Sequence, residues 1–457
     1  MNLKQTYGGL WFGSLLILFA TLALTGCKGF TTHGEREARQ QIGTVKPAYR
    51  PNGQRPALPD LTTNSSLGDF LTFAMLNQPQ IEAAYYDWAA AVENITVARS
   101  LPDLQLTFQM YIQNVITSVM PGLMAQIPWL GKLRAQANAA TAEGRAKYFA
   151  FESAVLQAAY DVKQSYYQLW FLDQKIAVDR EMLRLLSELE RIARAQNETG
   201  QATLQDVYRA QIESDRLKTE IVNLEDSHNS LLAQFKAALG LNRDQPDPPA
   251  PTRFEATTLN LTPEQILDTA FARNPQLKAM EAEVRQAQAS LDLARKSKLP
   301  DVTIGSSVDV KATPWLYWPQ ATVTLPIWRD KTAAEIAAAQ AGKRAAQARL
   351  TAGQINLTVA FAEKSYAYRE VNRNLDLLRE QLIPKAQRSL EIARSGYLSG
   401  KTDFFNLIDA ERSLLEFRLS EIDARTQREL TLSELSLLIA GVPPASAPLL
   451  PAEQINH

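Results

Sequence analysis

The side chains that most often carry out chemistry are scarce in this chain of 457 residues. It contains one cysteine, Cys27, and three histidines, His33, His228 and His457, which lie far apart in the sequence. A single cysteine excludes an intrachain disulfide and a cysteine-based zinc site, and the histidine spacing excludes an HExxH metal helix. The sequence also lacks a glycine-rich phosphate loop, and a formal net charge of -1 gives no reason to expect a nucleic-acid partner. We therefore expect no catalytic residue, no metal site, no cofactor and no enzyme activity.

Cys27 itself stands where a covalent modification is expected. It follows an apolar run over 10–24, which is too short for a comfortable membrane span and is typical of a secretory signal. The stretch 24–27 (Leu-Thr-Gly-Cys) is similar to a bacterial lipobox, and Lys28 after it indicates delivery to the outer membrane. We expect a signal peptide over 1–26 and a covalent lipid on Cys27. A plain signal peptide or an anchor helix with an incidental cysteine remains the alternative.

Clusters of proline divide the rest of the chain, and the parts between them repeat. The clusters lie at 47–59, 246–251 and 443–451, and they separate two similar segments, 67–241 and 261–442. The matched residues include Pro79-Gln80 with Pro275-Gln276, Leu101-Pro102-Asp103 with Leu299-Pro300-Asp301, Pro128 with Pro326, Lys132 with Lys331, Ser165-Tyr166 with Ser365-Tyr366, and Gly200 with Gly400. So many ordered matches predict a tandem duplication that gives two copies of one structural unit.

Each repeat is predicted to contain a helix, two strands, a long helix and a return helix. The first has strands at 103–113 and 116–127, a long helix at 132–198 and a return helix at 202–240. The second has strands at 301–311 and 319–327, a long helix at 330–397 and a return helix at 402–440. Outside the repeats we expect a lipid-anchored extended arm over 27–66, a proline-rich linker over 242–260 and a tail over 443–457.

Period-two alternation is the evidence for the strands, which have one apolar and one polar face. Strands of about ten residues suit a tilted membrane-spanning barrel. Trp315, Tyr317 and Trp318 lie at the second hairpin tip, where an interfacial aromatic girdle is expected. A soluble hairpin with one face packed on helices is the alternative.

The long helices are predicted from heptad spacing and from missing helix breakers. Residues 132–199 contain no proline and only one glycine. Val155, Val162 and Leu169 begin a heptad series there, which indicates coiled-coil packing. Pro384 should bend or break the second long helix. Each long helix then reverses at a glycine, Gly200 or Gly400, followed by residues that suit the start of a returning helix.

These features together resemble the TolC-like outer-membrane factor family, in its lipoprotein branch. The resemblance rests on the lipobox, the tandem repeat, the Leu-Pro-Asp corners and the stretch from Tyr397 through Gly400 to Asp409-Ala410. It implies a mixed α/β, mainly α fold in which long coiled-coil helical hairpins form an α-barrel. Four strands per chain would contribute to a trimeric, twelve-stranded transmembrane β-barrel.

The resemblance also implies partners and a gate. The partners are two further copies in a homotrimer, a periplasmic adaptor (membrane fusion) protein, an inner-membrane pump and outer-membrane lipid. The duct would export substrates passively from the periplasm or the pump across the outer membrane. By position, the gate residues are Tyr397, its acidic partner Asp206, the ring positions Asn406 and Asp409, the nearby Asp403, and Thr402, where family members with the full gate have an arginine.

Two questions stay open from the sequence. A periplasmic adaptor or a structural coiled-coil lipoprotein is the alternative function, although an adaptor would have one helical hairpin between β-rich halves. The cargo is the second question. The stretch 127–132 is similar to the heavy-metal branch of the family, and Met110, Met120 and Met124 cluster near the first strand hairpin, where thioethers could bind Cu(I). Alternation places Met110 on the lipid side, which favours packing.

Overall fold

A computed structural model describes residues 31–112, 115–129, 131–200, 203–257, 263–445, 447 and 449. The predicted signal peptide and Cys27 lie outside these residues. The chain forms two compact units, each built from stretches that are separate in the sequence. The first unit comprises residues up to Gln40, Ala90–Gly144 and Arg285–Lys343, and the second comprises Gln41–Ala89, Arg145–Val284 and the residues from Arg344 onwards. The strands belong to the first unit, and the turns of the helical hairpins belong to the second.

Both repeats contain the same order of elements. Helix α1 (His33–Tyr49) precedes them. The first repeat consists of α2 (Leu67–Asn77), α3 (Pro79–Arg99), β1 (Gln105–Ile112), β2 (Ile116–Ile127), α4 (Lys132–Glu198) and α5 (Leu204–Ala238). The second consists of α6 (Pro263–Arg273), α7 (Pro275–Lys296), β3 (Asp301–Asp309), β4 (Leu316–Thr324), α8 (Arg329–Leu377), α9 (Ile383–Leu398) and α10 (Phe404–Ser433). Among these described helices, none combines the length and the apolar character needed to cross a bilayer.

The bounds of the long helices follow the breaker residues. Helix α4 begins at Lys132 and ends at Glu198, where the sequence placed it. The second long helix is interrupted by a π-helical segment, Leu378–Leu382, directly before Pro384. Proline cannot donate the backbone hydrogen bond that its position in a helix requires, so the backbone widens locally ahead of it.

Strand β4 lies earlier in the chain than the predicted 319–327. It begins at Leu316 and ends at Thr324. The chain then turns at Pro326, where the amide of Ile327 donates to the carbonyl of Leu325 at 2.9 Å. The strand ends at Thr324 because its last partner is Asp301, the first residue of β3, whereas Pro319 is tolerated inside it because β4 is an edge strand.

The four strands form one antiparallel sheet in the order β1-β2-β3-β4. The central pairing joins the two repeats, because β2 of the first lies beside β3 of the second, with Ile127 opposite Val302. Strands β1 and β4 are the two edges of the sheet. Each edge carries a row of backbone groups that no described strand of the same chain pairs.

The register gives the sheet one apolar face and one polar face. The apolar face carries Leu106, Phe108, Met110, Leu123, Ile127, Ile304, Tyr317 and Val323. Trp318 pairs with Ser307 on the polar face, whereas Tyr317 pairs with Val308 on the apolar face. An aromatic girdle at this tip stays a prediction. Neighbouring residues of a strand point to opposite faces of the sheet, so the two rings cannot lie side by side on one face.

The prediction of an extended arm over 27–66 is also wrong for part of the described chain. Helix α1 occupies His33–Tyr49, and Pro47 lies inside its last turns. The proline cluster had suggested an extended arm, but Ala38, Val45 and Tyr49 are buried at helical spacing. Beyond a short 3-10 turn at Pro51–Gly53, the segment up to Ser66 is irregular.

A buried carboxylate fixes the start of α1 to α3. Glu35 is almost fully buried and accepts hydrogen bonds from Thr96 at 2.8 Å, from Arg39 at 3.2 Å and from Arg99. Burial alone would raise the pKa of Glu35, but the hydrogen bonds from Arg99, Thr96 and Arg39 hold it below its usual range. The arm is therefore attached through a desolvated ion pair as well as through its apolar face.

The end of the proline-rich linker is fixed as well. The hydroxyls of Tyr166 and Tyr167, on α4, donate to two backbone carbonyls of the linker at 2.7 and 2.6 Å. The ring of Phe254 contacts Trp170 on α4, with ring centroids 4.6 Å apart, and the guanidinium of Arg425 on α10 lies 4.4 Å from its centroid. The described part of the linker is consequently held by both helices.

The two repeats end their return helices in the same way. The side-chain amide of Asn77 donates to the carbonyls of Leu239 and Gly240, both at 3.0 Å. In the second repeat α10 continues into a π-helical segment, Glu434–Ile439, and the side-chain amide of Asn274 donates to the carbonyls of Leu438 and Ile439, at 3.0 and 3.1 Å. Both asparagines are buried and satisfy carbonyls that a helix end leaves free. The sequence matches at Pro79 and Pro275 therefore mark a structural equivalence.

The close approach at this helix end predicts a large effect for Gly240→Ala. Gly240 has φ 71°, and a Cβ there would lie 2.8 Å from the Cα of Gln78, which is backbone and cannot rotate away. Gly200 is the matched control, because it has φ 74° but open space around it. We expect Gly200→Ala to cost about 1–2 kcal/mol of folding stability and Gly240→Ala roughly 1–3 kcal/mol more, measured by urea unfolding of the detergent-solubilised protein. Equal losses would contradict the proposed close approach.

Candidate functional site

The turns of the two helical hairpins come together in the second unit. One apolar cluster takes residues from all four helices, α4, α5, α9 and α10. Its buried members are Leu189, Ala193, Val207, Ala210, Ala393, Tyr397, Phe404, Leu407 and Ala410. The two tips of one chain are therefore packed against each other, and every predicted gate residue lies in or beside this cluster.

Each turn depends on a glycine in the left-handed region. Gly400 has φ 70°, and the amide of Lys401 closes the helix end by donating to the carbonyl of Gly396 at 2.8 Å. Gly200 has φ 74°, and its amide donates to the carbonyl of Asn197 at 3.0 Å. Other residues rarely adopt this conformation, so the turn composition identified both positions for a physical reason.

Three of the predicted polar residues start the returning helices. Asp206 and Thr203 form a capping box, in which the amide of Asp206 donates to the Thr203 hydroxyl at 3.3 Å and the amide of Thr203 donates to Oδ2 of Asp206 at 3.1 Å. Oδ1 of Asp403 accepts from the amide of Asn406 at 2.9 Å at the start of α10. These contacts satisfy amides at the helix starts. They are local turn chemistry, and any role in a gate would be additional.

Tyr397 is the predicted gate residue with the most unusual surroundings. Its side chain is only 7% exposed, and its ring lies 5.6 Å from that of Phe404. No described residue hydrogen-bonds its buried hydroxyl. Burial raises the pKa of Tyr397, and the carboxylate of Asp206 raises it further. The structure thus brings this tyrosine and Asp206 close enough to interact electrostatically, without a hydrogen bond between them.

Thr402 and Asp409 differ in their surroundings. The Thr402 hydroxyl donates to the carbonyl of Ala393 at 3.1 Å, and Thr402 packs so tightly on Gly396 that a Cβ there would lie 2.5 Å from the hydroxyl oxygen. Thr402 thus belongs to the interior of the turn. Asp409 is exposed and makes no ion pair with another described residue.

A cation–π contact between the two hairpin tips was not predicted from the sequence. The guanidinium of Arg209, on α5, lies 5.5 Å from the ring centroid of Phe405 on α10. Such contacts join the two hairpins and contribute about 0.5–1 kcal/mol when exposed. Each residue alone resembles an ordinary surface residue, so only the packing of the two hairpins identifies the pair.

The methionines of the first strand hairpin do not converge. Met120 pairs with Gln109 and Met124 pairs with Gln105, which places both on the polar face of the sheet. Met110 lies on the apolar face, as the alternation predicted. In the described part of the chain, no cluster of three or more histidine, cysteine or acidic side chains is arranged to hold a metal ion.

The chain matches known proteins over both repeats. Residues 71–241 and 266–441 match the family model described as outer membrane efflux protein. The chain is 23% identical over 334 residues to the probable outer membrane lipoprotein SilC of Salmonella typhimurium. This match covers 70% of this chain and 70% of SilC. The chain is also 23% identical over 233 residues to the cobalt-zinc-cadmium resistance protein CzcC of Cupriavidus metallidurans, covering 48% of this chain and 52% of that protein.

A solved structure supports the same fold. The crystal structure of the Campylobacter jejuni CmeC outer membrane channel is similar with a TM-score of 0.71 at 15% sequence identity, covering 84% of this chain and 89% of that one. The family match spans both repeats, and the element order, the four-stranded sheet and the paired hairpin tips are consistent with it. This chain therefore belongs to the outer membrane efflux protein family, the outer-membrane channels of tripartite efflux pumps.

Proposed function

We propose that three copies of this outer-membrane channel assemble into one duct, with twelve strands in a closed barrel. The observation that carries the proposal is the four-stranded sheet, whose edges β1 and β4 pair with no other strand in the described part of the chain. Four strands cannot enclose a lumen, and closure removes the edges that would otherwise promote aggregation. The apolar face of the sheet would contact lipid, and the polar face would line the lumen.

The helical hairpins would continue the duct into the periplasm. Their tips would meet a periplasmic adaptor protein, and an inner-membrane pump would supply the energy. In this role the chain needs no cofactor, and the lipid that we propose on Cys27 would add an anchor beside the barrel. Tyr397, Asp206, Asp403, Asn406 and Asp409 would form the periplasmic gate, with Thr402 in the place of the family arginine.

Detergent extraction and conductance test the assembly. The full chain, purified from outer membranes, should run as a trimer in light scattering and should form discrete channels in a planar bilayer. A monomer that forms no channels would contradict the proposed duct.

For the cargo we propose metal cations. The support is the stretch 127–132 and the similarity to CzcC, whose name is cobalt-zinc-cadmium resistance protein. Deletion of the gene should make cells sensitive to metal salts, and the intact gene should restore resistance. The same cells should tolerate dyes and antibiotics as before. Sensitivity to organic compounds alone would contradict a metal cargo while leaving the duct intact.

A further inference from the structure

The pairing of β2 with β3, which joins the two repeats and is called the seam below, ends in a group of polar contacts. We call this group the lock, and it is formed by Lys132, Trp129 and Asp301. The ammonium of Lys132 donates to Oδ1 of Asp301 and to the carbonyl of Leu299, both at 2.9 Å. The amide of Trp129 donates to the same Oδ1 at 2.9 Å. The Lys132 side chain is only 13% exposed. This lock fixes the end of β2 to the start of β3.

The chain carries a second set of the same residues, and this set is separated. Lys331 matches Lys132, Trp328 matches Trp129 and Asp103 matches Asp301, with one additional residue, Ile327, between Pro326 and Trp328. The Lys331 side chain is 74% exposed, with Glu335 of its own helix at 3.8 Å as its ion-pair contact. Asp103 is exposed, and it makes no ion pair with another described residue. Asp103 precedes the edge strand β1, whereas Lys331 follows the edge strand β4.

The matched residues also allow the observed register of β2 with β3 to be transferred to the two edge strands, β4 and β1. Ile127 precedes Pro128 as Leu325 precedes the matching Pro326, and Val302 follows Asp301 as Leu104 follows the matching Asp103. The observed pairing of Ile127 with Val302 thus becomes a pairing of Leu325 with Leu104. Continued along the strands, it places Val323 opposite Leu106 and the whole of β1, Gln105–Ile112, opposite residues 317–324.

The faces of the sheet provide an independent check. Leu106 and Val323 lie on the apolar face of the sheet and are exposed in the single chain. The transferred register therefore joins apolar face to apolar face. A shift by one residue would bring Leu106 opposite Thr322 or Thr324 of the polar face, and such a slip is strongly disfavoured where one face is apolar.

We propose that β4 of one copy pairs antiparallel with β1 of the next copy, with Val323 opposite Leu106, and that Lys331 forms an ion pair with Asp103 of that next copy. The partner at both edges is thus a second copy of this chain, because the matching residues Lys132 and Asp301 already form this contact within one chain. The proposal rests on the proposed oligomer and adds its register and its lock. In the assembly, Lys331 becomes as enclosed as Lys132.

Cysteine pairs test the register in the full chain, in membranes. The matched variants are Leu106→Cys with Val323→Cys, and Leu106→Cys with Thr322→Cys, which lie on opposite faces. Oxidation should link the first pair into covalent dimers and trimers on a non-reducing gel and should leave the second unlinked. The unmodified chain, with Cys27 as its single cysteine, gives the background. A trimer that links the second pair instead, or both equally, would overturn the register without affecting the proposed duct. The absence of any oligomer would overturn the duct itself.

Charge exchange tests the lock. Lys331→Asp should lower the temperature at which the purified oligomer dissociates, and adding Asp103→Lys should restore it. Arg329→Asp is the matched control, because it makes the same change of charge at an exposed position nearby, and it should have little effect. A double variant no more stable than Lys331→Asp alone, in an oligomer that still forms, would overturn the ion pair.

Discussion

The double variant Tyr397→Phe, Asp206→Ala is expected to conduct more than the unmodified channel in a planar bilayer. The Tyr397 hydroxyl is buried at the packed tips without a described partner, close to the Asp206 carboxylate. Both hydrogen bonds from Thr203 go to Oδ2 of that carboxylate, so Oδ1 is the atom that the hydroxyl would reach in a closed gate. A hydrogen bond to a charged group contributes about 1.5–3 kcal/mol, which is roughly a 10- to 100-fold shift in an equilibrium between closed and open states.

A control variant must distinguish the loss of a gate contact from a general loosening of the helix turn, since either could raise the conductance. Asp206→Ala also removes the capping box, which costs about 1 kcal/mol of helix stability. Thr203→Ala removes the same cap but keeps the carboxylate, so its conductance should match that of the unmodified channel. Tyr397→Phe keeps the ring that packs on Phe404. Unchanged conductance in the double variant, or an equal rise in Thr203→Ala, would exclude the proposed gate pair.

Local signals in the sequence were sufficient for much of the fold. Helix α4 could be placed from Lys132 to Glu198, because heptads and missing prolines act within a few turns. Gly200 and Gly400 were recognisable because a reversed helix needs a left-handed residue at its end. The two-faced strands followed from alternation alone.

Features that depend on distant residues could not be predicted in this way. Helix α1 was missed because Glu35 becomes favourable there only beside Arg99, in another helix. The burial of Tyr397 needs both hairpins, since its cluster includes Val207 and Ala210 of the first repeat. Pairings of this kind leave no periodic pattern in the sequence. Among them, the contacts of Glu429 are expected to contribute most to folding stability.

Glu429→Ala is expected to reduce the folding stability by about 3–5 kcal/mol, the range measured when one partner of a buried ion pair is removed, because its carboxylate pairs with Arg428 at 2.7 Å and is the negative charge that acts on the buried Lys163. Glu429 is 0% exposed and Lys163 is 5% exposed. The carboxylate accepts from the amide of Thr257 and from Arg428, both at 2.7 Å, which also fixes the end of the linker. Burial lowers the pKa of Lys163, and the negative charge of Glu429 acts in the opposite direction. Without Glu429, a buried ammonium would lose its main compensating charge.

A second substitution should recover much of this loss. Lys163→Met in combination with Glu429→Gln removes both buried charges, and replacing buried charges by neutral side chains is often close to neutral. Arg428 loses its carboxylate partner in this variant, but it is 27% exposed and still donates to Asn372 at 3.0 Å. Urea unfolding of the detergent-solubilised protein measures all variants. Glu416→Ala on the same helix is the control, because its ion pair with Arg412 is exposed and should contribute less than about 1 kcal/mol. A double variant as unstable as Glu429→Gln alone would contradict the electrostatic coupling between Glu429 and Lys163.

The pH dependence of folding stability distinguishes an unpaired charge from a packing defect, because only the charge titrates. In Glu429→Gln, the folded state binds the Lys163 proton more weakly than the unfolded state does, because burial lowers the pKa of this lysine and the opposing carboxylate is gone. Stability rises with pH wherever the unfolded state binds more protons, so the deficit of this variant should shrink as pH rises towards the ordinary lysine pKa of 10.5. The double variant has no ammonium at position 163 and should show no such recovery relative to the unmodified chain. Since a cavity or a lost hydrogen bond does not titrate in this range, recovery in the single variant alone would attribute the loss to the charge.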